Sequence, residues 1–277
     1  HHTMQLVTEP FNATDHRINW SSSNKSAASV DENGTVTALR PIESVDITAV
    51  CKANPALRCT WNFKITRTKG YITKQTLDNL DLTAIKNVMI TAHPDDETLW
   101  GGGHLLEGEY LVVCMTHGWN PKRRTAFEQT MRTTNDKYLI LDYPDVRKTF
   151  SNGKYETDML STCKNAMQED INLILSYKKW DLIATHNPFG EYGKFLHKTI
   201  SQMVTQCYNK MNNKSATLYY FGRYYNSSNK IPGEQIAPEL LAIKNSMGDR
   251  YYPTAKGAIV AFGHMIPYEN WLLPSEW

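Results

Sequence analysis

The sequence has few cysteines, no long apolar run and almost no net charge. Five cysteines in 277 residues are too few for a scaffold built on disulfides. No run of about 18 apolar residues occurs, so we expect no membrane span within this sequence. The net charge of +2 is scattered without a basic stripe, which gives nucleic-acid binding little electrostatic support. The length suits one large domain, or a small domain followed by a medium one.

The cysteines fall into two groups. Cys51 and Cys59 bracket the segment CKANPALRC and could close a small loop. Either a bridge or two thiols fits this spacing, and we favour the bridge. Cys114, Cys163 and Cys207 lie in apolar or amphipathic stretches, which predicts buried thiols.

The first quarter of the chain has the pattern of an all-β module. Residues 5–67 contain short β-branched or alternating segments separated by turn signals such as Asp31-Glu32-Asn33-Gly34. We expect a structural or adhesive role here, because no cluster of titratable residues converges. The opening residues 1–4 are interpreted as the remnant of a purification tag, and a signal peptide could have been removed with them.

The stretch INWSSSNKSAASVDENGTVTAL resembles the bacterial group 2 immunoglobulin-like domain. The resemblance depends on the pattern Trp-Ser-Ser-Ser-Asn, Ala-x-Val-Asp and Gly-x-Val-x-Ala, and it covers about 60 residues. The usual first strands have no counterpart, which implies a truncated copy. Such modules occur in secreted or surface proteins, so the resemblance implies that location.

From residue 71 to residue 277 the pattern changes to alternating strands and helices. The predicted strands are 86–92, 110–116, 138–141 and 181–185, and the predicted helices are 124–136, 158–176 and 195–211. This alternation predicts an α/β domain with a Rossmann-like, mostly parallel sheet and helices on both faces.

A cluster of charged residues follows the first predicted strand of this domain. His93-Pro94-Asp95-Asp96-Glu97 comes directly after that strand, and ligands bind outside the carboxyl ends of strands in open α/β sheets. Three adjacent acids repel one another unless a cation relieves the repulsion. His93 and Asp96 are spaced to bind one ion, and Asp95 could act as a base. The alternative is an N-capping cluster, in which Asp95 or Asp96 accepts backbone N–H bonds from the next helix.

The string AHPDDE after a hydrophobic strand resembles the signature of the PIG-L/LmbE-like zinc-dependent de-N-acetylases. The resemblance implies that His93 and Asp96 bind zinc and that Asp95 is the general base. It also implies activity on N-acetylglucosamine or related amino sugars.

A second stretch is similar to the other motif of that family, which reads roughly Gly-Glu-Tyr-Gly-His-x-x-His. Here the chain reads THNPFGEYGKFLH, so the resemblance implies that His197 is the third metal ligand. Lys194 stands where the family usually has a histidine that stabilises the oxyanion and helps to protonate the leaving amine. Lysine supplies a positive charge and a donor, but it is a poorer proton shuttle than imidazole near neutral pH.

Three further residues are candidates for substrate contacts. Arg124 opens the helix after the second predicted strand, where relatives carry a substrate-contacting arginine, or it is a solvated charge. His186 ends a strand at the same edge of the sheet and either assists or is structural. His264, in a stretch that looks like family C-terminal sequence, either lines the cleft or packs.

Together these features predict a secreted or surface zinc hydrolase that removes an N-acyl group, usually acetyl, from an amino sugar of a glycan or glycoconjugate. The main alternative is a surface carbohydrate-binding protein that keeps the metal site but lost turnover at Lys194. A purely structural adhesin conflicts with the His and Asp cluster. Dinucleotide binding conflicts with the three glycines at 101–103, which do not form GxGxxG. The oligomeric state is left open.

Overall fold

The computed structural model describes residues 1–7, 9, 15–148, 155–156, 158–211 and 215–277. The chain divides into two compact units. One comprises His1–Thr68 and Thr157–Lys164, and the other comprises Lys69–Glu156 and Asn165–Trp277.

The first unit contains two antiparallel sheets. Its strands are β1 (His2–Thr3), β2 (Ile18–Ser22), β3 (Ala28–Val30), β4 (Thr35–Ala38), β5 (Ile42–Cys51) and β6 (Arg58–Ile65). One sheet has the order β1-β4-β3 and the other β2-β5-β6. Side chains from both sheets form one apolar core, in which Ala28 and Val36 meet Val45 and Ile47. This arrangement is consistent with an immunoglobulin-like domain.

The opening residues contact the first sheet: His2 pairs with Val36 across the ladder, and Met4 is buried in the core. The expected bridge was wrong, because Cys51 and Cys59 are separate thiols. The register explains this, since Cys59 lies opposite Ala49 rather than opposite Cys51.

The second unit is an α/β domain. Its strands are β7 (Asn87–Thr91), β8 (Tyr110–Thr116), β9 (Lys137–Tyr143), β10 (Arg147–Lys148), β11 (Tyr155–Glu156), β12 (Leu182–Thr185) and β13 (Thr217–Tyr220). Its helices are α1 (Lys74–Asp78), α2 (Asp96–Glu107), α3 (Pro121–Thr134), α5 (Gly190–Gly193), α6 (Phe195–Lys210) and α7 (Pro238–Phe262), with 3₁₀ turns at Gly263–Met265 and Pro274–Glu276. The boundary between the two units falls within helix α4 (Asp158–Tyr177), between Lys164 and Asn165.

Five strands form one parallel sheet in the order β13-β12-β7-β8-β9, and helices flank it. All seven residues of β8 are buried, as expected of a strand inside a covered parallel sheet. The chain moves outward from β7 through β8 to β9 and then returns to the other side of β7 with β12. Strand order therefore reverses between β7 and β12, and ligands bind at such a reversal in this class of fold.

The three glycines of α2 allow close packing against the C-terminal segment. A Cβ added at Gly101 would lie 2.6 Å from Met89 Cε, and one at Gly103 would lie 3.1 Å from Glu269 Oε2. Glu269 accepts the backbone N–H of Gly103 at 2.6 Å, and the buried Lys244 Nζ donates to the same carboxylate. The glycines therefore allow close contact of α2 with β7 and with the C-terminal segment, which agrees with the absence of a dinucleotide fingerprint.

Candidate metal centre and cavity

The centre begins where β7 ends. Asp95 is the first residue outside α2 and has a φ of 133°, a conformation that an L-residue other than glycine rarely adopts. Local strain of this kind is maintained only where the surrounding structure compensates for it. Here Glu97 Oε2 accepts the Asp95 backbone N–H at 3.0 Å, and Arg123 donates to the Pro94 carbonyl at 2.8 Å. The turn thereby directs the side chains of Asp95 and Asp96 toward different partners.

Three side chains direct one ligand atom each toward a common point. His93 Nδ1 lies 3.1 Å from His197 Nε2 and 3.3 Å from Asp96 Oδ2. The third edge of the triangle, from His197 Nε2 to Asp96 Oδ2, is 3.4 Å. Tetrahedral zinc with ligand distances of about 2.0–2.1 Å separates its ligand atoms by roughly 3.3 Å. The triangle therefore has the dimensions of three corners of a tetrahedral site.

Carboxylates hold the other nitrogen of each histidine. His93 Nε2 lies 3.0 Å from Asp145 Oδ1, and His197 Nδ1 lies 2.5 Å from Glu191 Oε2. Burial opposes ionisation of Glu191, but His186 and His197 hold its pKa at about 2, so it is a carboxylate that accepts. With the outer nitrogens donating to these carboxylates, each histidine can offer the lone pair of its inner nitrogen to a cation in the triangle. Two lone pairs and a carboxylate oxygen facing one another in a buried space favour a cation between them.

Two neighbouring groups of side chains also bring three potential ligand atoms together. They are His93, His117 and Asp145, and His186, Glu191 and His197. In each group the carboxylate faces the outer nitrogen of His93 or His197, whose other nitrogen belongs to the triangle. We interpret these groups as the outer support of one centre.

Asp95 stands beside the triangle without belonging to it. Its Oδ2 accepts a hydrogen bond from Arg123 at 3.1 Å. Burial raises the pKa of Asp95 to about 7, against the opposing effect of the Arg123 guanidinium. A carboxylate with such a pKa is suited to accept and return a proton near neutral pH. The capping alternative was wrong for both aspartates, because Asp95 makes no side-chain cap bond and Asp96 accepts the N–H of His93 upstream.

An open cavity of about 160 Å³ adjoins the triangle and Asp95. Its polar lining residues are His93, Asp95, Asp96, Arg123, Asp145 and Lys194, and its other lining residues are Leu99, Trp100, Tyr192, Ala255, Ala258 and Phe262. Tyr192 packs on Phe262 with ring centroids 4.4 Å apart. Part of the apolar lining comes from α7, which bends at Ala255 (φ −134°). The cavity is therefore lined by cationic side chains, carboxylates and apolar groups together.

The other residues predicted from the sequence have separate positions. Arg124 is exposed and its Nε lies 3.8 Å from Glu128 Oε1, while its neighbour Arg123 reaches the cavity. His264 Nε2 donates to the Tyr225 carbonyl at 2.8 Å, and His264 is not among the residues that line the cavity. Their substrate contacts stay predictions.

His186 supports the centre from behind. It is completely buried, its Nε2 accepts the Ala92 backbone N–H at 2.9 Å, and its Nδ1 lies 3.1 Å from Glu191 Oε2. Its ring stacks on His197 with centroids 3.9 Å apart. Since both ring nitrogens are engaged, the geometry favours the structural alternative for His186.

Sequence reasoning missed four residues that hold the centre: Arg123, Asp145, Glu191 and Tyr251. Asp145 follows the carboxyl end of β9, and Glu191 lies inside the GEYG string, so strand position and motif could have identified both. The sequence pattern favoured Arg124, whereas Arg123 is the arginine that lines the cavity. Tyr251 lies in α7, far along the chain, and no local signal marks it.

We expect Tyr251→Phe to destabilise the second unit. The Tyr251 hydroxyl donates to the buried Glu97 carboxylate at 2.6 Å, and Glu97 in turn holds the strained Asp95 turn. Removing one partner from a buried hydrogen bond costs about 1–3 kcal/mol. Urea denaturation of wild type and variant measures the difference. The exposed Tyr252→Phe is the control, and equal loss in both variants would contradict a specific role for Tyr251.

The chain is similar to one family profile and to a viral protein. The profile of the bacterial Ig-like domain (group 2) matches residues 2–61, and such domains are typically extracellular or surface-exposed. An uncharacterized protein of Acanthamoeba polyphaga mimivirus is 32% identical over 174 residues, which cover 57% of this chain and 67% of the viral protein. The chain belongs to the same family as this viral protein.

Two further similarities are more limited. An uncharacterized protein of Clostridium acetobutylicum is 38% identical over 65 residues, which are 24% of this chain and 7% of that protein. The crystal structure of a conserved protein from Thermus thermophilus aligns with a TM-score of 0.44 at 13% identity, over 69% of this chain and 94% of that chain. Among the described residues, no helix combines the length and apolar character needed to cross a membrane.

Proposed function

We propose that this protein is a zinc-dependent hydrolase that removes an N-acyl group, usually acetyl, from an amino sugar in an extracellular glycan or glycoconjugate. The observation that carries the proposal is the triangle of His93, Asp96 and His197 beside Asp95, in a cavity open to solvent. Nitrogen and oxygen ligands with one position left free suit catalytic zinc. When bound, zinc would supply Lewis-acid polarisation of the amide carbonyl and favour ionisation of water.

Asp95 is the base in this proposal. It takes a proton from the attacking water, whose oxygen adds to the amide carbon. Arg123, at 3.1 Å from Asp95 Oδ2, orients the carboxylate during this transfer. The C–N bond then breaks, and the proton passes to the nitrogen. The products are the carboxylic acid and a free amino sugar.

Lys194 supplies the positive charge. It lies on the cavity wall with Asp95 and the three proposed ligands. An ammonium there donates to the oxyanion that develops on the carbonyl oxygen. The apolar wall formed by Ala258 and Phe262 suits the hydrocarbon part of an acyl group. The Ig-like domain supports an extracellular substrate.

The presence of lysine rather than histidine at position 194 supports a second candidate function, carbohydrate binding without turnover. Lysine in place of an imidazole weakens proton delivery to the leaving amine. The protein would then be a surface carbohydrate-binding protein that keeps the metal site without turnover.

An acetate-release assay tests the proposal. Purified protein, chelated protein and protein reloaded with zinc are incubated with a panel of N-acetylated mono- and oligosaccharides. We expect release that chelation abolishes and zinc restores. Release that survives chelation, or its absence throughout the panel, would refute a zinc-dependent deacetylase.

We also expect one equivalent of zinc per chain. Elemental analysis of protein prepared without chelators measures it. Absence of a stoichiometric metal would contradict the ligand assignment, whereas another divalent ion would change the metal and leave the ligands.

A further inference from the structure

Side chains of the C-terminal segment bond to the backbone of α2 in the middle of the helix. In a regular α-helix each carbonyl accepts the N–H four residues later, so the Trp100 carbonyl is the expected partner of the His104 N–H. Here Trp271 Nε1 donates to the Trp100 carbonyl at 2.8 Å, and Glu269 Oε2 accepts the His104 N–H at 3.0 Å. The segment therefore supplies partners for both groups of one helical hydrogen bond. We call residues 266–272 the clasp.

The clasp is fixed to two other elements. Leu272 exchanges both backbone hydrogen bonds with Tyr220 at the end of β13, at 2.8 and 2.9 Å. The completely buried Lys244 of α7 donates its Nζ to the Ile266 carbonyl at 2.7 Å and also to Glu269. The clasp therefore joins α2 to α7 and to the edge strand β13 of the parallel sheet.

Close packing accompanies these bonds. The Trp271 ring stacks on the His104 ring with centroids 3.7 Å apart, and His104 Nδ1 lies 2.6 Å from Glu269 Oε2. A Cβ added at Gly101 would lie 3.0 Å from the Trp271 ring. The clasp therefore contacts α2 over one full turn, from Trp100 to His104.

This turn of α2 also forms part of the catalytic cavity. Leu99 and Trp100 line the cavity, and Asp96, one turn earlier, is a proposed ligand. The Trp100 indole N–H has no hydrogen-bond partner among the described residues. Its ring is therefore held by packing, with the Phe262 ring 5.6 Å away, and by the backbone that carries it. The clasp holds that backbone.

We propose that the clasp is a positioning element of the cavity, in which Trp271 and Glu269 fix the backbone of α2 and thereby place the Trp100 ring against the substrate. The inference rests on the proposed function for the identity of the substrate. Neither Trp271 nor Glu269 is among the residues that line the cavity, so both act through Trp100. Substrate affinity thus depends on a side chain 171 residues further along the chain than Trp100.

Trp271→Phe tests the clasp. The substitution keeps an aromatic ring that can stack on His104 and removes the N–H that bonds the Trp100 carbonyl. We expect the Trp100 ring to shift, which weakens binding of substrate and transition state alike. KM should therefore rise about fivefold, the factor typical of losing one neutral hydrogen bond, while the turnover number stays within about twofold of wild type. Metal content should be unchanged.

Hydrogen exchange of ligand-free protein provides a second measurement that needs no turnover. We expect the α2 segment to exchange about fivefold faster in Trp271→Phe than in wild type. Exchange of β8 in the same samples is the internal reference for global stability. Trp277→Phe is the matched control, since the Trp277 indole N–H has no hydrogen-bond partner among the described residues, and it should leave both exchange and KM unchanged.

The outcomes separate this inference from the proposed function. Unchanged exchange of α2 in Trp271→Phe, or an equal rise in α2 and β8, would overturn the clasp as a positioning element. A KM equal to that of wild type would do the same, as would a turnover number that falls as steeply as KM rises. If wild type released no acetate from any substrate, the hydrolase would be refuted, and the exchange measurements would decide on the clasp.

Discussion

Asp95→Asn is expected to lower the turnover number by about 10²–10⁴-fold while the metal stays bound. The asparagine amide has nearly the shape of the carboxylate, so the strained turn and its neighbours are preserved. It has lost the ability to take a proton from water. Because Asp95 lies outside the triangle of ligand atoms, the substitution removes the base and leaves the three ligands. Turnover on the best N-acetyl substrate and metal content of the same preparation provide the two measurements.

His197→Ala is the matched comparison. It removes a corner of the triangle and leaves Glu191 without the imidazole that it holds at 2.5 Å. We therefore expect zinc affinity itself to fall, and activity to fall with it. If Asp95→Asn lost metal as completely as His197→Ala, then Asp95 would be a ligand and the roles of the two adjacent aspartates would be exchanged.

Lys194→Ala is expected to lower the turnover number by about 10²–10³-fold with metal content unchanged, which is typical of removing one oxyanion donor. Lys194 lies on the cavity wall and is not one of the three proposed ligands. Lys210→Ala, an exposed lysine in the last turn of α6 that does not line the cavity, is the control for loss of a positive charge. If wild type is active and Lys194→Ala is equally fast, then Lys194 has no role in the reaction.

Lys194→His distinguishes the two candidate functions. Imidazole donates to the oxyanion and also passes a proton to the amine near neutral pH, so we expect activity equal to wild type or higher. Should wild type be inactive on every substrate tested while Lys194→His gains activity, the natural protein would be a binding relative of the enzymes.

The fold was largely predictable where the local pattern is strong. Strand β8 was predicted at its observed bounds, and the predicted helix 158–176 is observed as Asp158–Tyr177, because a buried run and a helical period are local signals. Helix α7 was missed. Its Pro253 and its glycines weaken the helical pattern, and it is stabilised by packing against α2 and α3.

The two sequence motifs of the candidate site could be predicted, but the residues that hold the proposed ligands in place could not. The string around His93 identifies a strand end, and the structure brings His93, Asp96 and His197 together as the resemblance implied. Asp145 and Tyr251 contribute through tertiary contacts that no short pattern contains. The choice between Arg123 and Arg124 depends on the phase of α3, which begins at Pro121 rather than at residue 124.

The distance along the chain between the ligands has a consequence for biosynthesis. His93 and His197 are 104 residues apart in sequence. Glu191, which contacts His197 Nδ1, is also synthesised long after His93. During synthesis the early pair, His93 and Asp96, is complete long before the third ligand emerges. Two ligands alone bind a metal weakly, and binding becomes strong only when folding has assembled the full set. For the proposed metal site we therefore expect the bound ion to be one available in the compartment where folding finishes, rather than one available at the ribosome.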